Sequence, residues 1–298
     1  MGIDANRIHK PVRKLRKFLK KSPKIPASSE IHDLRTNARR METAVAALGQ
    51  VAHKSGRRLL RDLVKLKERA GKVRDMDVLT GLILTVNLDG EQDCVVRLIE
   101  TLGAKRMKQV KKLRAFIAQR GDRLRRRLKR TGSKLENFLE KGRKSKSDST
   151  PDAPAEVMAK AIRLAEELKD PTRLAKTNLH EYRLRVKELR DILQLADSAD
   201  RQNIVKQLGE AKDAIGEWHD WVELIAIAGE VLDHGAECKL LPKLREISET
   251  KYSRALSLTN QMKHALLVSK TSRTKGSGGG KPQVIRPAVL AATSANSA

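Results

Sequence analysis

Between Pro26 and Pro151 the chain contains no proline, and this absence limits its fold more than any other feature. Proline inside a helix removes a backbone hydrogen bond and clashes with the preceding turn, so a long proline-free stretch rich in Leu, Ala, Lys, Arg and Glu favours long helices. Apolar and polar residues nowhere alternate at period two for long enough to specify a strand. The chain therefore reads as all-α. Helices are expected over residues 11–21, 29–49, 53–71, 74–87, 91–130 and 133–143, then 155–169, 172–198, 201–215, 218–233 and 239–269. Gly49, Asp89 with Gly90, Gly103 and Gly121 are the candidate breaks or tight passages. The polar stretch KGRKSKSDSTPDAP, residues 141–154, reads as a linker, and the Gly/Ser/Ala-rich end, residues 272–298, as a disordered tail. The helical halves then span residues 3–140 and 155–269.

Charge says what kind of partner such helices would meet. The chain carries 63 Lys plus Arg against 36 Asp plus Glu, a formal net charge of +27. Residues 1–150 hold 40 cations and 16 anions and the remainder 23 and 20, so the surplus is +24 in one part and +3 in the other. An excess concentrated in this way implies a directional basic face and a polyanionic partner. Aromatic residues make up 2% of the chain, too few to build the stacking platforms that hold single-stranded nucleic acid. Trp218 and Trp221, three apart, share a helix face and read as core. The two cysteines, Cys94 and Cys238, form neither a disulfide framework nor a cluster spaced along the sequence to hold zinc. The apolar runs fall short of a membrane span, and the basic N-terminus lacks the apolar core of a signal peptide, so a soluble cytoplasmic protein is expected.

One eleven-residue pattern occurs twice. IHDLRTNARRM (residues 31–41) superimposes on LHEYRLRVKEL (residues 179–189), pairing His32 with His180, Arg35 with Arg183 and Arg39 with Lys187. The apolar positions Ile31, Leu34, Ala38 and Met41 meet Leu179, Tyr182, Val186 and Leu189 at spacings of three and four, which is the buried stripe of an amphipathic helix. A second block follows at almost the same interval: GKVRDMDVL from Gly71 matches GEWHDWVEL from Gly216, with Asp75 on Asp220. Two matched blocks in one order indicate an internal duplication, and two copies of one unit characteristically pack about an approximate twofold axis. At 100° per residue the His/Arg/cation ridge lies one residue round from the buried stripe. A ridge bordering the core lines a groove or channel when two bundles face each other, whereas a solvating charge run would sit opposite the stripe.

With both blocks identified, the sequence resembles the CHAD family, the conserved histidine α-helical domain, over roughly residues 3–269. The resemblance implies two pseudo-symmetric antiparallel bundles of four-helix type with a basic central channel that binds inorganic polyphosphate, in proteins associated with polyphosphate granules. By position it makes His32, Arg35, Arg39, His180, Arg183 and Lys187 channel residues, and Arg61, Lys65, Arg74, Lys206 and Lys212 secondary contributors. The second block departs from the family pattern: His219 stands in place of Arg and Val222 in place of the second Asp. Polyphosphate has closely spaced charges and no bases, so dense charge-assisted donors without stacking groups suit it.

The sequence contains no P-loop, nucleophile elbow or serine–base pattern, and the His-Asp pairs at 32–33 and 219–220 lack the further ligands of a catalytic metal centre. The expectation is a binding protein, not an enzyme, with no cofactor and no metal. The alternative is a general nucleic-acid-binding basic helical protein. Granule-associated proteins are further candidate partners.

Overall fold

A computed structural model describes residues 6–47, 53–144, 153–169, 173–195, 202–232 and 238–274. Among these residues there are eight helices and no strands: α1 (Asn6–Lys20), α2 (Ser28–Ala47), α3 (Lys54–Ile83), α4 (Gln92–Lys144), α5 (Ala153–Glu167), α6 (Leu179–Leu195), α7 (Gln202–Val231) and α8 (Leu240–Thr274). Most of the segments read as linker and tail, 145–152 and 275–298, lie outside the described residues.

Several expected breaks are absent, and the reasons are local. α3 runs without interruption through Gly71, and α7 through Gly216. A glycine within a helix costs about 1 kcal/mol relative to alanine, but at Gly216 it lets Arg183 of the preceding helix approach the backbone. α4 likewise passes through Gly103 and Gly121. Asp89 and Gly90 do make a turn, with Gly90 at φ 82°, in the left-handed region that suits glycine. α1 starts earlier than the sequence suggests and contains Pro11; the fully buried Ile8 at its start favours the extra turn. α6 starts later, at Leu179, because Asn178 turns the chain before it, its Oδ1 accepting from the Ala175 N–H at 2.8 Å. α2 is fixed at its start by Glu30, whose Oε2 accepts the Ala27 N–H at 2.8 Å, the carboxylate half of a capping box.

Helices α1 to α4 enclose one core, including Leu15, Ile31, Met41, Leu63 and Leu113. Helices α5 to α8 enclose a second, with Leu179, Val186, Leu208, Trp218 and Met262. Both apolar stripes read from the sequence point into these cores, and both tryptophans are buried. The far ends of α3, α4, α7 and α8 form a third core, in which Leu79, Ile83, Leu98, Trp221 and Leu224 meet. The two helix groups are joined through this core and by the packing of α2 on α6 and α3 on α7. Ion pairs tie elements within the first group: Asp77 accepts from Arg106 Nε at 2.5 Å, and Arg106 Nη2 also donates to the Pro26 carbonyl at 2.8 Å. Asp62 is buried and pairs with both Arg120 and Arg127 of α4. No helix among the described residues is long and apolar enough to cross a membrane.

Candidate functional site

The packing of α2 on α6 brings the two ridges together. Arg35 and Arg39 of α2 and Arg183 and Lys187 of α6 are all half-buried, and they act on one another electrostatically. Burial lowers the Arg39 guanidinium from its usual value; Asp191 opposes this, and Arg35, Arg183 and Arg190 add to it. Arg183 is lowered by burial, with Asp220 opposing and Arg35 reinforcing the shift. Lys187 is pushed down to about 7, first by burial and then by Arg39, with Asp191 partly offsetting the effect. Four half-buried cations thus lie where water screens them poorly, and their repulsion adds to the cost of charging Arg39, Arg183 and Lys187.

The glycines of the second sequence block explain how the arginines fit. A Cβ at Gly71 would stand 3.7 Å from Arg35 Nε, while one at Gly216 would stand 2.7 Å from Arg183 Nη2 and 3.0 Å from Nε. Arg35 and Arg183 therefore each lie beside a glycine of the following helix, at ordinary contact distance in α3 and much more tightly in α7. Arg183 Nε also donates to the Lys212 carbonyl at 3.3 Å. A similar approach occurs two turns away, where a Cβ at Gly209 would meet Arg190 Nε at 3.2 Å. Arg39 Nε, Arg190 Nε and His180 Nδ1 are buried without a hydrogen-bond partner in the protein. Buried donors are almost always satisfied, and leaving one unmet costs about 1–3 kcal/mol.

Acidic groups hold the arginines in place. Burial raises Asp75, with Arg35 and Arg183 pulling it back down. Asp220 is pushed up to about 6 by burial, with Arg183 opposing and Asp75 adding repulsion. These two residues come from the matched blocks of α3 and α7, and both lie in the middle of their helices, so neither is a helix cap. Asp191, also raised by burial, faces Arg39 and Lys187. Next to Arg39 and Lys187 a cleft of about 790 Å³ opens between α2, α3, α5 and α6, its walls carrying Lys67, Lys160 and Arg163 together with Glu42, Glu188 and Asp191; Lys67 pairs with Glu42 and Lys160 with Glu188.

The two ridge histidines differ. His32 is exposed, its Nε2 3.5 Å from Thr36 Oγ1, beside a depression of about 500 Å³ that it shares with Ser28 and Arg74. His180 is half-buried with its ring centroid 4.3 Å from that of His219. Burial and then Arg183 lower His180, and burial, His180 and Arg183 push His219 down to about 4. Among the secondary candidates, Arg74 donates to Ser28 Oγ at 2.7 Å, and Lys212, lowered by burial, pairs with Asp213 while adding to the field at Arg39 and Asp191. Arg61, Lys65 and Lys206 are exposed, with Lys206 3.9 Å from Glu210. Arg190 and Asp191 join the cluster without a sequence signal, since nothing equivalent to either occurs in the first block, whereas Lys67 stands 145 residues before Lys212, the offset that relates Gly71 to Gly216.

Among the described residues, two groups of side chains have a composition suited to a metal ion. His219, Asp220 and Glu223 place one ligand atom each within 4.8 Å of one another, beside Arg183, whose cation competes for the carboxylates. Glu91, Cys94 and Cys238 do the same in the third core.

The family model described as the CHAD domain matches residues 12–228, from α1 to near the end of α7, and so takes in both ridges and both glycine contacts. The chain belongs to the CHAD domain family. No curated protein and no solved structure matches the chain. Every ridge residue of this CHAD domain, together with Asp75, Asp220 and Lys212, falls within the matched segment.

Proposed function

We propose that this CHAD protein binds inorganic polyphosphate without transforming it, holding the polyanion in a basic channel where α2 faces α6. The reading rests chiefly on Arg35, Arg39, Arg183 and Lys187, which are half-buried near one another although Arg35 and Arg183 depress Arg39, Arg35 depresses Arg183, and Arg39 and Arg35 depress Lys187. A polyanion turns that repulsion into attraction and offers acceptors to the guanidinium groups of the ridge. A seven-residue step along a helix rises about 10.5 Å, so one ridge can meet several successive phosphates. Arginine contributes forked contacts and lysine a point charge.

His32, beside Arg74, serves an outer position on the same path, and His180 packs inside it. Arg74 and Lys212 act as secondary contacts; Arg61, Lys65 and Lys206 contribute to the field from the exposed surface. The protein acts in the cytoplasm, at polyphosphate granules, where granule proteins are further partners. The internal sequence repeat supports a pseudo-twofold arrangement of the two helix groups, each laying a ridge arginine beside a glycine.

General nucleic-acid binding is the competing reading. It is favoured by the outward face of α4, where Arg123, Arg126, Lys129 and Arg130 are all exposed. Polyphosphate and RNA competing for the protein at physiological salt separate the two. The channel reading requires polyphosphate to win and requires loss of the four ridge cations to remove that preference.

A further inference from the structure

The sequence places Cys94 and Cys238 far apart, yet folding brings them together with a carboxylate. Glu91 precedes the first residue of α4, and its carbonyl accepts the Val95 N–H at 3.1 Å. Cys94 lies in the first turn of α4, and Cys238 lies two residues before α8 begins. Glu91 Oε1 also accepts the Lys239 N–H at 3.0 Å, so this one carboxylate fixes the start of α4 against the start of α8. All three side chains are buried, Glu91 at 7% exposure and each cysteine at 3%, and their ligand atoms lie within 4.8 Å of one another.

We propose that Glu91, Cys94 and Cys238 form a structural zinc site that clamps the start of α4 to the start of α8. Two thiolates and a carboxylate match the ligand preferences of zinc, whose bonds of about 2.3 Å to sulfur and 2.0–2.2 Å to oxygen need only modest closing of this triangle; they fill three of the four tetrahedral positions and leave the fourth to a single bound water. Without a cation, burial and the Glu91 carboxylate push the Cys94 thiol up to about 12, so the metal must displace the thiol protons as it binds, helped by the positive ends of the two helix dipoles that converge on the cluster. Leu98, Leu240 and Leu244 belong to the same core and are fully buried, which keeps bulk water from competing for the ion. A metal here would join the two helix groups covalently through their third core. The site uses none of the ridge residues, so it does not depend on the polyphosphate reading.

The test is made on the reduced full-length protein, by metal analysis after purification with zinc and by titration of the metal-free protein with cobalt(II). The expected result is one zinc per chain and a thiolate-to-cobalt charge-transfer band. That band should disappear in Cys94→Ser and in Cys238→Ser. Glu91→Gln keeps an acceptor for the Lys239 N–H, and it should weaken zinc by at least the roughly 10- to 100-fold typical of losing even an outer-shell partner. A wild-type protein with no bound zinc and no cobalt band overturns the proposal, as does recovery of Cys94 and Cys238 as a disulfide from the native protein. Because the wild-type spectrum decides the matter, a cysteine variant that fails to fold does not rescue the idea.

Discussion

The ridges of α2 and α6 carry the same residue pattern in different surroundings. In the first, Arg35 rests over Gly71 at ordinary van der Waals separation, and His32 faces solvent. In the second, Arg183 presses on Gly216, Arg190 lies close over Gly209, and His180 packs on His219. The sequence around the first ridge carries nearly all the surplus charge, while that around the second is close to neutral. Net charge alone would place function in the first half. Burial argues for both, because a charge held in low dielectric interacts more strongly than one in water.

The largest expected effects come from removing each ridge in turn. A charged hydrogen bond contributes about 1.5–3 kcal/mol, so Arg35→Ala with Arg39→Ala, and separately Arg183→Ala with Lys187→Ala, should each weaken polyphosphate binding by roughly 10²- to 10⁴-fold in a titration. Circular dichroism should show the helices intact in both. A large loss in one pair and none in the other would mean that only one ridge is functional.

Lysine 187 gives the comparison a pH dependence. Its folded value, about 7, lies below its ordinary 10.5, so between these limits the unfolded chain binds more protons, and stability of the free protein should rise with pH across that window. Asp220 acts oppositely at lower pH: raised from 3.8 to about 6, it makes stability fall as pH climbs through that interval. A bound polyanion favours charged Lys187, so polyphosphate affinity should be highest at or below pH 7 and fall above it by up to about tenfold per pH unit. Lys187→Met should flatten that slope, weaken binding by about 10- to 100-fold, and raise the melting temperature of the free protein. Calorimetry and binding at several pH values check all three, and a lower melting temperature would show that the lysine is not under electrostatic strain.

The glycines distinguish the two ridges at smaller amplitude. Gly216→Ala should displace the Arg183 guanidinium and cost about tenfold in affinity, within the range for one weakened charged contact. Gly71→Ala should leave affinity unchanged, since its new Cβ meets Arg35 at 3.7 Å. Both variants gain up to about 1 kcal/mol of helix propensity, so neither should melt earlier unless the displaced arginine strains the fold. The smallest effect belongs to His32→Gln: an exposed charge contact contributes about 0.2–1 kcal/mol, or roughly 1.5- to 5-fold in affinity at pH 6. A larger loss would place His32 inside the path.

The helices and ridge positions were legible because both follow from spacing. Ile31 and Leu179 begin apolar stripes, and a cation one residue round from such a stripe must border the core. Gly71 and Gly216 were harder to interpret, because low helix propensity looks the same whether glycine ends a helix or admits an arginine. The third core was not legible, since it depends on where the ends of α3, α4, α7 and α8 meet. Arg190 and Asp191 were missed for want of a counterpart in the first block, and the meeting of Cys94 with Cys238 is a purely tertiary event. Asp75 and Asp220 were visible as a matched pair, but that they face Arg35 and Arg183 needed the structure.

The central claim is that facing, half-buried ridges select polyphosphate. Its most direct test is competition between long-chain polyphosphate and RNA for the full-length protein at physiological salt, with the wild type beside a variant carrying Arg35→Ala, Arg39→Ala, Arg183→Ala and Lys187→Ala. The account predicts a strong polyphosphate preference, weakened steeply by added salt and lost in the variant. Equal binding of the two polymers, unchanged in the variant, would contradict it.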